Sequence, residues 1–119
     1  MQQFSKQLTK TLPLFDIAAN LTDEQFGHNK HHHEDRDEVV KRANDVGCSH
    51  LLIAAGHLED GKHSFDLCQR YKNSYCTIGV HPCRANEPFN KEHYPTLQHY
   101  FNKIEEEAVR MKEKLVAIG

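Results

Sequence analysis

Four short apolar runs alternate with amphipathic segments along this chain, and this alternation limits the possible folds more than any other feature. The runs cover residues 14–19, 50–55, 75–80 and 115–118. Strands that alternate with helices through short connections predict a parallel sheet of right-handed βαβ units. A complete (β/α)₈ barrel needs about 250 residues. The 119 residues therefore predict an α/β fold that is a partial TIM barrel, in which four parallel strands alternate with three helices and the chain ends at the fourth strand.

The three segments between the runs have the apolar spacing of helices. The first has Asp35 as its cap candidate, ends at Gly47, and places on one face Val39, Val40, Ala43 and Val46. The second begins near Glu59 and Asp60 and directs inward Phe65, Cys68 and Tyr71. The third has the most regular spacing, with an apolar face made of Leu97, Phe101, Ile104, Ala108 and Met111. We expect residues 1–13 to form a flexible leader and residues 14–119 to form half of a barrel domain.

The composition is that of an ordinary globular protein. A net charge of -2 argues against a nonspecific nucleic-acid coat, which would carry a basic excess, so any nucleic-acid binding would be local. The four cysteines form no Cys-x-x-Cys pair, which favours reduced thiols over a zinc ribbon. We expect a cytoplasmic or nuclear location. Lys6 and Lys10 in a leader without acidic residues leave a mitochondrial location as a minor alternative.

Two apolar runs carry polar residues at or near their ends. The third run stops at His81 and Pro82, which places an imidazole at the carboxyl end of a strand, where parallel α/β folds have their sites. The alternative is that His81 only caps the strand. The first run contains Asp16 and is followed by Asn20. A carboxylate inside a buried strand is costly unless it is paired or bound to a cation, so we expect Asp16 to line a site or to serve a structural role.

A histidine-rich segment follows the first run. It has no periodicity, contains Gly27, and carries His28, His31, His32 and His33, so we expect a loop. An ordered metal site needs ligands held by a second layer of contacts. A flexible run provides none, and adventitious nickel or zinc binding is the interpretation we favour here.

Four segments together resemble one known family. They read Phe-Asp-Ile-Ala-Ala-Asn-Leu-Thr at 15–22, Leu-Ile-Ala-Ala-Gly at 52–56, Thr-Ile-Gly-Val-His-Pro at 77–82 and Val-Ala-Ile-Gly at 116–119. In content and order they resemble the N-terminal half of the TatD family of metal-dependent deoxyribonucleases. The resemblance implies an amidohydrolase-like barrel, DNA as substrate, and a divalent cation as cofactor, which would be Mg²⁺, Mn²⁺ or Zn²⁺.

The resemblance also implies roles for individual residues. Many members begin with Asp-x-His-x-His, whereas this chain has Asp16, Ala18 and Asn20 in those positions, so Asp16 is only a weak metal candidate. His81 matches the histidine of the family's His-Pro segment and is the catalytic candidate. Asn20 and Arg84 are the candidates for substrate binding. The bridging glutamate of the family follows Ala-Ile-Gly, beyond the last residue of this chain, and its other ligands come from later strands.

Three interpretations follow. The first is a TatD-like DNase whose N-terminal fragment is inactive alone. The second is a non-catalytic, truncated or split half-barrel that acts as a binding or assembly module. An unrelated small α/β domain is the third. An unpaired fourth strand also predicts self-association, because an exposed sheet edge readily pairs with another chain.

Overall fold

The computed structural model describes residues 12–119, in which four parallel strands form one sheet. The strands are β1 (Leu14–Ala19), β2 (Cys48–Ile53), β3 (Ser74–Ile78) and β4 (Leu115–Ile118), in the order β1-β2-β3-β4. The connecting helices are α1 (Arg36–Asp45), α2 (Leu58–Arg70) and α3 (Leu97–Arg110). The predicted partial barrel is therefore confirmed. The predicted leader falls almost entirely on residues 1–11, which lie outside the described residues.

The short connection between α1 and β2 depends on a glycine. Gly47 has φ 97°, a left-handed conformation that glycine adopts without a steric penalty. Its amide donates to the Asn44 carbonyl, and its own carbonyl accepts from Leu14 N at 2.9 Å. Gly47 therefore ends α1 and fixes the start of β1. At the other end of α1, Asp35 is the cap residue as predicted, but its side chain makes no capping hydrogen bond within the described residues.

The core lies between the helices and one face of the sheet. Ile53, Cys76 and Ile78 are fully buried there, and α2 packs on them through Leu58, Leu67 and Cys68. All four cysteines are free thiols within residues 12–119. No helix in the same range is long and apolar enough to cross a membrane.

Two predicted helix faces are wrong in part. On the predicted face of α1, Val46 is exposed, because it follows the last residue of the helix. In α3, Ile104 is buried as expected, as is Met111 directly after the helix, but Leu97 and Phe101 are exposed and Tyr100 is fully buried in their place. Tyr100 packs edge-on against Tyr94, with ring centroids 4.7 Å apart. This aromatic contact, which the spacing of apolar residues does not reveal, turns α3 away from the predicted orientation.

Candidate functional site

A cleft of about 940 Å³ lies at the carboxyl ends of β1, β2 and β3. We call it the histidine cleft because four histidines from three different loops and α2 line it: His28, His57, His63 and His81. In parallel sheets, the loops at this edge carry the functional groups, because successive strands all end there. The histidine cleft is thus where the fold predicts a site.

His81 is held rigidly at the edge of the histidine cleft. Its amide donates to the Gly56 carbonyl at 2.8 Å, which joins the ends of β2 and β3. Its Nδ1 atom accepts a hydrogen bond from Cys83 N at 3.1 Å, and the side chain is exposed. An accepting Nδ1 carries no proton, so the proton of the neutral imidazole is on Nε2. His81 therefore presents an Nε2–H donor rather than a free lone pair at Nε2.

The structure brings together three of the four predicted site residues. Asn20, which follows β1, and Arg84, in the short 3₁₀ helix Pro82–Arg84, line the histidine cleft together with His81. Asp16 lies outside this cleft. It is exposed on the edge strand β1, and its Oδ1 atom accepts from Ala18 N at 3.0 Å. The expectation that Asp16 sits in a buried strand is therefore wrong, because β1 is an edge of the sheet and only its last residue is buried.

Arg36 fixes the loop that forms one wall of the cleft. Its guanidinium is buried, and Nε donates to the Leu21 carbonyl at 2.7 Å while a second nitrogen reaches the Asp23 carbonyl at 3.4 Å. An ion pair with Glu34, at 3.2 Å, accompanies these bonds. The hydrogen bond from Arg36, followed by that from Arg70, holds the pKa of Glu34 below its ordinary value. The chain just after Asn20 is thereby tied to α1.

Sequence reasoning missed two contributors to this site. Arg36 lies in the first turn of α1, where the sequence predicts only a helix start, and Asp60 is predicted only to favour the start of α2. Asp60 Oδ2 accepts from Gly56 N at 2.7 Å and so holds the turn between β2 and α2 against the cleft. The sequence does offer a signal for this hydrogen bond. Asp60 lies three residues after the cap residue His57, and an acid at that position can reach back to amides that precede the helix.

The match to known proteins decides the family. A family model described as TatD related DNase matches residues 15–119. The chain belongs to the TatD-related DNase family. This confirms the resemblance inferred from the four sequence segments, and the match includes every residue named above in the histidine cleft.

Individual relatives agree with this assignment. The chain is 30% identical over 125 residues to deoxyribonuclease Tat-D of Schizosaccharomyces pombe, covering 100% of this chain and 39% of the relative. It is 41% identical over 69 residues to the 3'-5' ssDNA/RNA exonuclease TatD of Shigella flexneri, covering 58% of this chain and 24% of the relative. The chain thus spans less than half the length of these TatD relatives.

Solved structures support the fold. A TatD family hydrolase of Entamoeba histolytica has 35% identity and a TM-score of 0.75, covering 90% of this chain and 36% of that chain. An uncharacterized amidohydrolase of Saccharomyces cerevisiae, at 24% identity and a TM-score of 0.70, covers 91% of this chain and 36% of its own. The match to the Saccharomyces cerevisiae protein supports only the fold.

The TatD family suggests a metal, but the donors described here do not fit one. Within residues 12–119, no group of three or more histidine, cysteine or acidic side chains is arranged to hold a metal ion. In the histidine-rich loop, three rings contact each other or the backbone: His33 Nδ1 lies 3.3 Å from His28 Nδ1, and His32 Nδ1 lies 2.6 Å from the His33 carbonyl. These nitrogens are therefore directed at neighbouring protein atoms rather than at a common centre.

Proposed function

We propose that this chain supplies the phosphate-binding side of a TatD-like nuclease that hydrolyses phosphodiester bonds in DNA. The observation that carries the proposal is the hydrogen bond from Cys83 N to His81 Nδ1. It leaves Nε2–H as the free donor of a side chain that lines the histidine cleft. A preorganised donor of this kind stabilises the negative charge that develops on a phosphate oxygen. His81 is thus proposed as the catalytic residue of this part of the enzyme.

Arg84 and Asn20 complete the proposed contact with the phosphate. The Arg84 amide donates to the His81 carbonyl at 2.7 Å, so the 3₁₀ helix fixes Arg84 relative to the imidazole. A guanidinium binds two phosphate oxygens at once, and the side-chain amide of Asn20, which lines the same cleft, can donate a further hydrogen bond. The names of the relatives, deoxyribonuclease and ssDNA/RNA exonuclease, support a nucleic acid as the source of the phosphate.

We further propose that the nuclease to which this chain contributes uses a divalent cation, with Mg²⁺ as the first candidate and Mn²⁺ or Zn²⁺ as alternatives. The side chains of residues 12–119 do not form its binding site by themselves. That Asp16 contributes one carboxylate oxygen to the cation stays a prediction. The four free thiols within residues 12–119 support the proposal of a cytoplasmic or nuclear location, where thiols remain reduced.

The first experiment tests whether the 119-residue chain cleaves DNA alone. We expect no cleavage of a labelled single-stranded oligonucleotide with Mg²⁺ or Mn²⁺ above the level seen with chelator, because the described residues do not assemble a metal site. Gel electrophoresis of the products measures this. Robust cleavage that chelator abolishes would overturn the proposal that the chain is inactive alone.

The second experiment tests the Nε2–H donor of His81. A hydrogen bond to a charged group contributes about 1.5–3 kcal/mol, so His81→Ala should weaken the binding of inorganic phosphate by at least about tenfold. His81→Gln should keep much of the affinity, since its amide also offers an N–H donor near the Nε2 position. NMR titration gives the affinities.

The control for this experiment is His99→Ala. His99 is exposed on α3 and lies outside the histidine cleft, so its loss should leave phosphate affinity unchanged. Equal affinities in wild type and His81→Ala, with both proteins folded, would remove His81 from the site.

The alternative function is a non-catalytic binding or assembly module. One observation favours it: apolar side chains on both edge strands are exposed, including Ile17 at 71% and Ile118 at 70%. Such edges pair readily with other strands. The cleavage experiment and the association experiment described below distinguish the two functions.

A further inference from the structure

Residues 54–56, which follow β2, join the ends of β1 and β3 to the start of α2. We call them the link segment. Its three backbone amides donate to three different elements: Ala54 N to the Ala19 carbonyl of β1 at 3.1 Å, Ala55 N to the Thr77 hydroxyl of β3 at 3.0 Å, and Gly56 N to the Asp60 carboxylate of α2 at 2.7 Å. The position of the link segment therefore depends on all three elements.

The acceptor for Ala55 N is a side chain in the place of a backbone carbonyl. Leu51 N donates to the Asn73 carbonyl in the regular ladder between β2 and β3. The donors of a parallel ladder are evenly spaced and advance by two residues on each strand, which places Ala55 N opposite Thr77. The Thr77 hydroxyl thus connects the two strands beyond the point where their regular pairing ends.

The hydrogen bond between Thr77 and Ala55 lies in the interior of the protein. Thr77 is 8% exposed and Ala55 is 7% exposed, so water cannot easily replace the hydroxyl as acceptor. A buried amide that loses its acceptor costs more free energy than the hydrogen bond contributes. Removal of the hydroxyl therefore favours a shift of the link segment toward another acceptor.

The link segment in turn fixes His81. His81 N donates to the Gly56 carbonyl at 2.8 Å, and a Cβ atom added at Gly56 would lie 3.6 Å from His81 Cβ, so the two residues are in close contact. On the other side, Ala54 N is bound to the carbonyl of Ala19, the residue before Asn20. A shift of the link segment therefore changes the spacing between His81 and Asn20.

We propose that Thr77 is a positioning residue of the histidine cleft, whose hydroxyl holds the link segment where it sets the spacing of His81 and Asn20. The inference rests on the proposed function for the phosphate that these two side chains bind. Thr77 itself is not among the residues that line the cleft. It acts on the phosphate site through the backbone of the link segment.

The first test needs no ligand. Thr77→Val keeps the branched side chain and removes the hydroxyl. We expect the amides of Ala55 and His81 to exchange about two- to tenfold faster, since this is the change in an equilibrium that one hydrogen bond produces. The Leu51 amide, in the same pair of strands but far from the cleft, is the internal reference and should change less. Hydrogen exchange followed by NMR measures the three rates.

The second test is an NMR titration with inorganic phosphate. Thr77→Val should weaken phosphate binding by at least about twofold, because part of the binding free energy is then needed to restore the position of His81. Thr77→Ser keeps the hydroxyl and should bind phosphate like the wild type. Thr77→Ala lacks the hydroxyl as well and should show the same losses as Thr77→Val, so the test does not depend on the folding of a single variant.

The matched control is Thr96→Val. The Thr96 hydroxyl also accepts from a backbone amide, that of His99 at 3.1 Å, but it caps α3 and lies outside the histidine cleft. Loss of a cap lowers stability. We therefore expect Thr96→Val to be less stable than the wild type, with unchanged phosphate affinity and an unchanged ratio of His81 to Leu51 exchange.

The outcomes separate this inference from the proposed function. Wild-type phosphate affinity and a wild-type exchange ratio in folded Thr77→Val would overturn the positioning role and leave the proposed function standing. A loss in Thr77→Ser as large as that in Thr77→Val would also overturn it, because the hydroxyl is then not the cause. Faster His81 exchange in Thr77→Val, in a wild-type chain that does not bind phosphate, would support the connection from Thr77 to His81 and contradict the phosphate site.

Discussion

Arg36 shows how one side chain can control a wall of the histidine cleft. It is only 7% exposed and donates to the backbone carbonyls of Leu21 and Asp23. Replacing it by Met keeps the apolar stem but leaves the buried Leu21 carbonyl and the half-buried Asp23 carbonyl without a charged donor. Since such a hydrogen bond contributes about 1.5–3 kcal/mol, we expect Arg36→Met to lower the free energy of unfolding by about 2 kcal/mol and to speed amide exchange in the loop 21–29.

Urea unfolding and hydrogen exchange measure these two effects. Arg42→Met is the matched control, because Arg42 is in the same helix with its side chain exposed, and it should change neither quantity. If both variants lost the same stability, or if loop exchange were unchanged in Arg36→Met, the positioning role of Arg36 would be wrong.

The place of His81 at the cleft could be predicted from the sequence, whereas that of Arg36 could not. His81 ends an apolar run and is followed by proline, which are local signals that can be read without a structure. The partners of Arg36 are backbone carbonyls 15 and 13 residues away, and any residue type could provide them. Asp16 was misplaced for a related reason: the pattern of β1 predicts a strand, but it does not show whether neighbouring elements cover that strand.

Among the secondary-structure elements, the packing of α2 on β3 depends on Gly61. A Cβ atom added at Gly61 would lie 2.9 Å from Ile78 Cγ1 and 3.3 Å from Cδ1, so the glycine permits the helix to approach the sheet closely. Overpacking a core costs about 1–3 kcal/mol, whereas Gly to Ala inside a helix gains only about 1 kcal/mol. We expect Gly61→Ala to lower the free energy of unfolding.

A double-mutant cycle with Ile78→Ala checks the cause. Ile78→Ala removes the atoms that the new methyl group would meet, so the double variant should lose less stability than the sum of the single losses. Urea unfolding of the four proteins measures the coupling. At an exposed helical glycine, a change to alanine would increase stability. If Gly61→Ala did so here, the close approach of α2 to Ile78 would be unimportant.

Element types were predictable here, whereas helix orientation was not. All four strands and three helices fall at the predicted places, with bounds that differ by at most two residues, because long periodic segments specify their own structure. In α3, however, two apolar stripes overlap: one contains Leu97 and Phe101, and the other contains Tyr100 and Ile104. The choice between them depends on the contact of Tyr100 with Tyr94, which comes from a loop outside the helix.

At the scale of the whole molecule, the sheet formed by residues 12–119 has two edges, β1 and β4, that pair with no further strand of that range. Exposed apolar residues lie on both: Phe15 and Ile17 on β1, Val116 and Ile118 on β4. Two copies could pair both edges at once if β4 of each copy paired with β1 of the other. The resulting eight strands are enough to close a barrel with a filled interior. We therefore expect the 119-residue chain to form a dimer in solution, with a mass near twice 13.8 kDa.

Sedimentation velocity over a range of concentrations measures this association. Charged residues on an edge strand block strand addition, so Val116→Lys should shift the chain toward the monomer. Val109→Lys is the matched control, because Val109 is exposed on α3 rather than on a sheet edge, and it should leave the dimer intact. Pairing through the edges would be contradicted if the wild-type chain remained monomeric at every concentration. It would also be contradicted if Val109→Lys dissociated the dimer as readily as Val116→Lys. Either result would favour a nuclease fragment over an assembly module.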